Sequence, residues 1–213
     1  MPLNDVLLVP ATRGPRGLTL GSQTSQWGDP SGATVVIDFY AKAILDGNGY
    51  QVRLGTITTP LSADVLITDT AAEASADAAS GLVIIPVYLQ VDIEALVGTL
   101  PQVAAKSVAT VSSAGAAFVP LPLRSGGAAA STTARVAAAG GVTVTAELAT
   151  TTPVHYIRTL AVAADTQAVW EPQRPPVLVG PRCFYLQVGS VTTGSTYFAH
   201  FDYLEYTAAQ LGL

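Results

Sequence analysis

Two histidines, one cysteine and a few spaced acids are the residues of this chain whose types could support chemistry. His200 and Asp202 lie two apart in Ala199-His200-Phe201-Asp202-Tyr203, and a strand would set both on one face. Such a pair can orient a base or hold a metal. The plainer reading is a polar sheet face or a hydrogen-bonded pair at a subunit contact. Asp92 and Glu94 share that spacing and could clamp calcium with help from a loop, although two acids on a wet face are ordinarily just solvated. Glu171 and Arg174 sit in the loop Trp170-Glu171-Pro172-Gln173-Arg174-Pro175-Pro176, where fixing shape is the simpler use of the prolines. Trp27 and Trp170 could stack on sugars, but they fit better as caps on a core or filling for an interface.

Larger catalytic patterns are missing from the text. There is no GxSxG, GxxxxGK[ST], HExxH or GxGxxG, and no His-x-His spacing of the kind a cupin-like metal site needs. The single Cys183 cannot form an internal disulfide, and no CxxC pair exists. It lies in the apolar run Cys183-Phe184-Tyr185-Leu186 and reads as a buried structural thiol. No catalytic, cofactor-binding or metal-ligating residue is assigned, no cofactor is expected, and the chain is not expected to be an enzyme.

Alternation of apolar and polar residues supplies the elements. Residues 1–33 are rich in Gly, Pro, Ser and Gln and read as an extended N-terminal arm, with one short strand at 6–9. In 34–44, Val35, Ile37, Phe39, Ala41 and Ala43 alternate with Asp38, Tyr40 and Lys42, which predicts a half-buried strand. Asp46-Gly47-Asn48-Gly49 then reads as a tight turn into a second strand at 50–54, so 34–57 is expected to be a hairpin. A short strand is expected at 64–68. Thr70-Ala71-Ala72-Glu73 matches a helix capping box, and the Ala-rich text to Gly81 fits a turn or two of helix as well as it fits a loop.

The longest strand is expected at 82–94, with Val83, Ile85, Val87, Leu89, Val91 and Ile93 on one face. Its first half is apolar on both sides and should be covered on both. Patterning is weak over 95–135, with short strands near 107–111 and 118–121, and returns at 142–148, 155–163, 183–189 and 195–206. Nine or ten strands, little helix and no amphipathic crossover helix argue an antiparallel β-sandwich. The long connections 58–82 and 95–135 suit Greek-key crossings, so the fold class expected is all-β, a jelly-roll-like sandwich over 34–213.

Only 12% of the 213 residues are charged, against about 25% in a typical soluble domain. One explanation is that copies of the chain cover much of its surface, since obligate interfaces lose Lys, Glu and Asp. Drift in a GC-rich genome is the other, and both stay open. Net charge is −5, and no basic cluster is present for displacing counterions from nucleic acid. Arg13 and Arg16 read as an exposed turn rather than a genome-binding arm. The uncharged stretch 107–123 is too short and too broken by Ser, Gly and Pro to span a membrane. The opening residues carry no secretory pattern, so synthesis in a cytoplasm is expected.

The stretches 79–93 (ASGLVIIPVYLQVDI) and 175–206 (PPVLVGPRCFYLQVGSVTTGSTYFAHFDYLEY) resemble small virion proteins of phages and environmental viruses. In these a small-residue turn leads into a long apolar strand, and a Pro-rich, Gly-Pro-turned pair of strands closes the domain. The resemblance is carried by about a fifth of the chain and implies a single jelly-roll capsid or capsid-associated protein. It would be found in the virion and would work in trimers or larger rings with copies of itself and other virion proteins. Many capsid proteins carry a basic genome-facing arm; residues 1–33 do not, so direct nucleic-acid binding is not expected. The competing reading is a phage tail, fibre or surface module that recognises a host glycan or protein.

Overall fold

Leu82–Ala95 and Thr196–Thr207 pair antiparallel over their full lengths, and the other elements are arranged around this ribbon. The computed structural model describes residues 39–63, 71–95, 101–137, 141–144, 152–160, 167–189 and 195–213. The arm, Arg13, Arg16, Trp27, and the strand expectations at 6–9, 34–38, 64–68, 145–148 and 161–163 lie outside them. Eight principal strands follow in chain order: β1 (Gly49–Leu54), β2 (Ala74–Ala78), β3 (Leu82–Ala95), β4 (Gln102–Val108), β5 (Val154–Thr159), β6 (Gln167–Trp170), β7 (Arg182–Gly189) and β8 (Thr196–Thr207).

One sheet runs β6-β3-β8-β1 and the other β5-β4-β7-β2. Every pairing is antiparallel. The chain therefore changes sheets at each step except from β4 to β5. Short strands extend this frame. Leu121–Pro122 adds to β1, Leu178–Val179 to β3, and Thr133–Val136 followed by Ala116–Phe118 to β2. The described residues hold fifteen strands against the nine or ten expected, the excess being mostly two-residue ribbons without a readable period. The molecule is an all-β antiparallel sandwich.

Its core lies between the sheets. Val52, Leu54, Leu89, Val91, Ile93, Phe201 and Tyr203 from the first meet Val103, Ala105, Phe184, Leu186 and Val188 from the second. Burying each large side chain contributes about 1.5–3 kcal/mol. β2 corrects the capping-box expectation, because Ala74–Ala78 is a strand buried along its whole length. Ala74, Ala76 and Ala78 give the core face almost no bulk, which suits a site shared with Tyr50, Phe201 and Tyr203. Helix propensity in Ala yields here to two ladders, one with β7 and one with Thr133–Val136.

The expected hairpin at 34–57 is also corrected. Phe39–Leu45 is a helix, α1, not a strand. Gly47 adopts φ +87°, and Asn48 N–H and Gly47 N–H donate to the carbonyls of Ala43 and Ile44, each at 2.9 Å. This is a Schellman stop, so the positive-φ turn falls where expected but ends a helix. Lys42 reaches Asp46 one turn on, at 2.7 Å. Ala43 at helical spacing from Tyr40 packs on Val83, Ile85 and Leu204.

The long strand departs from its expected single face as well. Opposite β8, Asp202 pairs with Tyr88 but Tyr203 with Pro86, so Val87 is an extra residue. This bulge reverses the alternation. Leu89, Val91 and Ile93 face the inter-sheet core, whereas Val83 and Ile85 face α1. The predicted cover on both sides of the first half is present, with Val83 and Ile84 both fully buried.

Replacing Gly47 by Ala should cost about 1 kcal/mol, because the helix stop needs a positive φ that a Cβ penalises. Thermal unfolding should shift down by about 2–4 °C, and an unchanged midpoint would reject this role.

Candidate interaction surfaces

The outer face of the second sheet is closed. Cys183 and Tyr185 lie under Ala72, Val142 and Val144 of the flanking segments. Asp77, on the same face, accepts hydrogen bonds from Ser112 N–H (2.9 Å) and Oγ–H (2.7 Å). The Ser112 hydroxyl lies 2.8 Å from Ser75 Oγ and is left to accept from it. Burial, and then the Asp77 charge, pushes the Cys183 thiol well above its usual range. The thiol is buried and free, as the sequence suggested, and thiolate chemistry is disfavoured there.

Among the described residues, the outer face of the first sheet is covered at one end only. There α1 and the C-terminal residues Ala208 and Leu211 shield Val83, Ile85 and Leu204. Further along, period two aligns Gln51 and Arg53 of β1, Tyr88, Gln90 and Asp92 of β3, and His200 and Asp202 of β8 on an open surface. Tyr88 donates to Gln90 at 2.7 Å, and Gln90 and Gln167 each donate to Asp92 at 2.8 Å. Gln51 donates to Asp202 at 2.9 Å. The His200 ring stacks on Tyr88 with centroids 5.6 Å apart.

His200 and Asp202 share a face as expected, yet each has a different neighbour, Tyr88 for one and Gln51 for the other. Asp92 is occupied by two amides, and Glu94 is exposed at a second bulge. The calcium clamp is therefore not assembled among the described residues. Among the described residues no three of His, Cys, Asp and Glu gather as a metal site. Burial raises the Asp202 pKa, opposed by the Gln51 hydrogen bond and the His200 charge. Burial also raises Tyr88, helped by Asp202, Asp92 and Glu171, so its hydroxyl stays a donor.

Trp170 stacks on Phe184 at 6.0 Å and lies 6.4 Å from both the His155 and Tyr156 rings. It caps the core, as the simpler reading had it. His155 Nε2 lies 2.9 Å from Ser107 Oγ, and burial lowers its pKa. Tyr88 and Gln51 are contributors that sequence reasoning missed. Tyr88 carried a signal, an aromatic two residues before a Gln-x-Asp alternation. Gln51 carried none without the β1–β8 register.

Exposed apolar residues collect at the two edges of the sandwich. At one, Val154 and Ile157 of β5 are exposed beside Val169 of β6, Val177 and Val179, with Ile157 reaching 65%. At the other, Val119 is 71% and Leu121 42% exposed, with Ile57 in the adjoining turn. There Arg53, Gly55, Thr56, Phe118, Val119 and Leu121 line an open groove of about 440 Å³. Comparison with protein-family models, curated proteins and solved structures finds no match to this chain.

Asp202 gives a pH prediction. A carboxyl raised in the folded state is penalised once ionised, so the destabilisation is absent below the unfolded value near 3.8 and grows as pH rises through the folded value. Asp202→Asn keeps an acceptor for Gln51 and should melt above wild type at neutral pH. The gap should close at pH 3, and parallel melting curves across that range would reject the assignment.

Proposed function

We propose that this chain is a structural virion protein, a jelly-roll capsid or capsid-decoration subunit that assembles with copies of itself and other virion proteins. The observation that carries the reading is the strand order. Sheets β6-β3-β8-β1 and β5-β4-β7-β2 interleave the two halves of the chain as two Greek keys rolled together would. Jelly rolls serve as viral capsid domains, lectins and cupins. The only two histidines, His155 and His200, belong to different sheets, which disfavours a cupin metal centre. Both edges expose β-branched and aliphatic side chains, the kind of surface that copies of a chain would cover. The scarcity of charge agrees with that cover. Net charge of −5 weighs against direct nucleic-acid binding, and no helix among the described residues is long and apolar enough to cross a membrane. This reading assigns the protein to the virion, after synthesis in the host cytoplasm.

A second reading, a tail, fibre or surface module that binds a host glycan or protein, is favoured by the open face. Tyr88 lies there beside Asp92, Asp202, Gln51 and Gln90, an aromatic among acids and amides. Their mutual hydrogen bonds leave fewer polar groups for a ligand, which ranks this reading second.

Light scattering and electron microscopy of the purified chain at micromolar concentration test the choice. Trimers, rings or shells are the expected result. A monomer of 21.8 kDa at every salt concentration, with a glycan bound at Tyr88, would transfer the assignment to the second reading.

A further inference from the structure

We propose that copies associate edge to unlike edge, the Arg53 groove of one copy receiving the Val169–Glu171 edge of the next; this rests on the self-assembly reading above. Arg53 is exposed at the end of β1, and it makes no hydrogen bond or ion pair among the described residues. Beside Arg53 the groove is lined by Gly55 and Thr56 and by the apolar Phe118, Val119 and Leu121. A cation at the lip of an apolar groove selects an occupant that pairs an aliphatic side chain with a nearby carboxylate.

The opposite edge of the same sheet presents that pattern. Val169, on β6, and Glu171, the first residue past it, are both exposed and two apart, a span of about 7 Å where the chain is extended. Val169 pairs with Gln90 of the open face, and Glu171 acts on Tyr88 of the same face. Glu171 likewise makes no hydrogen bond or ion pair among the described residues. Arg174 in the same loop offsets part of this charge, so recognition depends on the local pair and not on the net potential of the edge.

Two features weigh against the like-with-like alternative. Groove against groove would set Arg53 on Arg53, and edge against edge would set Glu171 on Glu171, each repulsive once desolvated. Strand addition at the groove side is also blocked, because Leu121–Pro122 is the outer ribbon there and Pro122 has no N–H to donate. Side chains, not a continuous ladder, make the contact. Made once between each pair of copies, an unlike-edge contact is heterologous, so it propagates past a dimer and closes into a ring when the rotation between copies closes.

Charge exchange tests this with the full chain. Arg53→Glu and Glu171→Arg should each raise the concentration needed for assembly by about tenfold or more, with unchanged circular dichroism and melting. The doubly exchanged variant, and an equimolar mixture of the two single variants, should return assembly to the wild-type range and to species larger than a dimer. Single variants that assemble like wild type, a double variant no better than the singles, or restored species that stop at a dimer would overturn the pairing. In each of those cases wild-type assembly would persist and the virion reading would stand. A wild type that stays monomeric overturns both.

Discussion

The antiparallel ribbon of β3 and β8 is the constraint on which the other elements depend. Pro86 has no N–H, so a ladder with neighbours on both sides cannot pass through it unbroken, and Pro in an inner strand is found at bulges. The bulge at Val87 meets that need and re-aims the strand. Beyond it Leu89, Val91 and Ile93 line the inter-sheet core, while before it Val83 and Ile85 point outward. One strand thereby serves two apolar clusters. With unbroken alternation the outward side of this end would lose Val83 and Ile85, and α1 would have no platform for Ala43.

Two buried carboxylates tie peripheral segments to this frame. Glu205, on β8, accepts from Ser131 N–H at 2.9 Å, from Thr132 N–H at 2.7 Å and from the Thr132 hydroxyl. Asp77 on β2 does the same for Ser112. Both serve the connection between β4 and β5, which leaves the inner strand β4, supplies Ala116–Phe118 and Thr133–Val136 to the far edge of the second sheet and returns to β5 beside β4. Hydrogen bonds contribute about 0.5–1.5 kcal/mol each, and several on one side chain help to order segments that carry little apolar bulk. Asp77 and Glu205 are accordingly spent on architecture, and the polar residues of the open face largely bind one another.

The legibility of the sequence follows from the same physics. The strands at 50–54, 183–189 and 196–207 could be read because each has one buried and one wetter side, or a continuous apolar run, bounded by turn residues. Three features were misread for a common reason. The residues of α1 alternate in polarity, but Tyr40 and Ala43 also fit a helical face, and only the Val83–Ile85–Leu204 platform decides between them. β2 looks helical because Ala favours helix, until ladders form on both sides. The single face of β3 failed at Pro86, whose meaning was available in the text. On the open face, His200 and Asp202 were legible as neighbours because they are two apart. Gln51 joins them across 151 residues, and no local pattern encodes that register.

The low charge of the chain acquires a physical meaning once the faces are accounted for. A sandwich has two outer faces and two edges to protect from water or from other chains. Here the second sheet is roofed by its own connection, and the first is half roofed by α1 and half covered with a hydrogen-bonded polar ladder. Charge is therefore not needed on most of the faces. It would be needed on the edges, because unpaired strand backbones beside exposed aliphatic residues invite association, and proteins that must stay single block them with Lys, Pro or inward charges. This molecule has Pro122 on one edge and no lysine on the ribbons of either: its two lysines are Lys42, on α1, and Lys106, on the inner strand β4. Under the self-assembly reading proposed above, edges left this open are the surfaces that copies of the chain would cover.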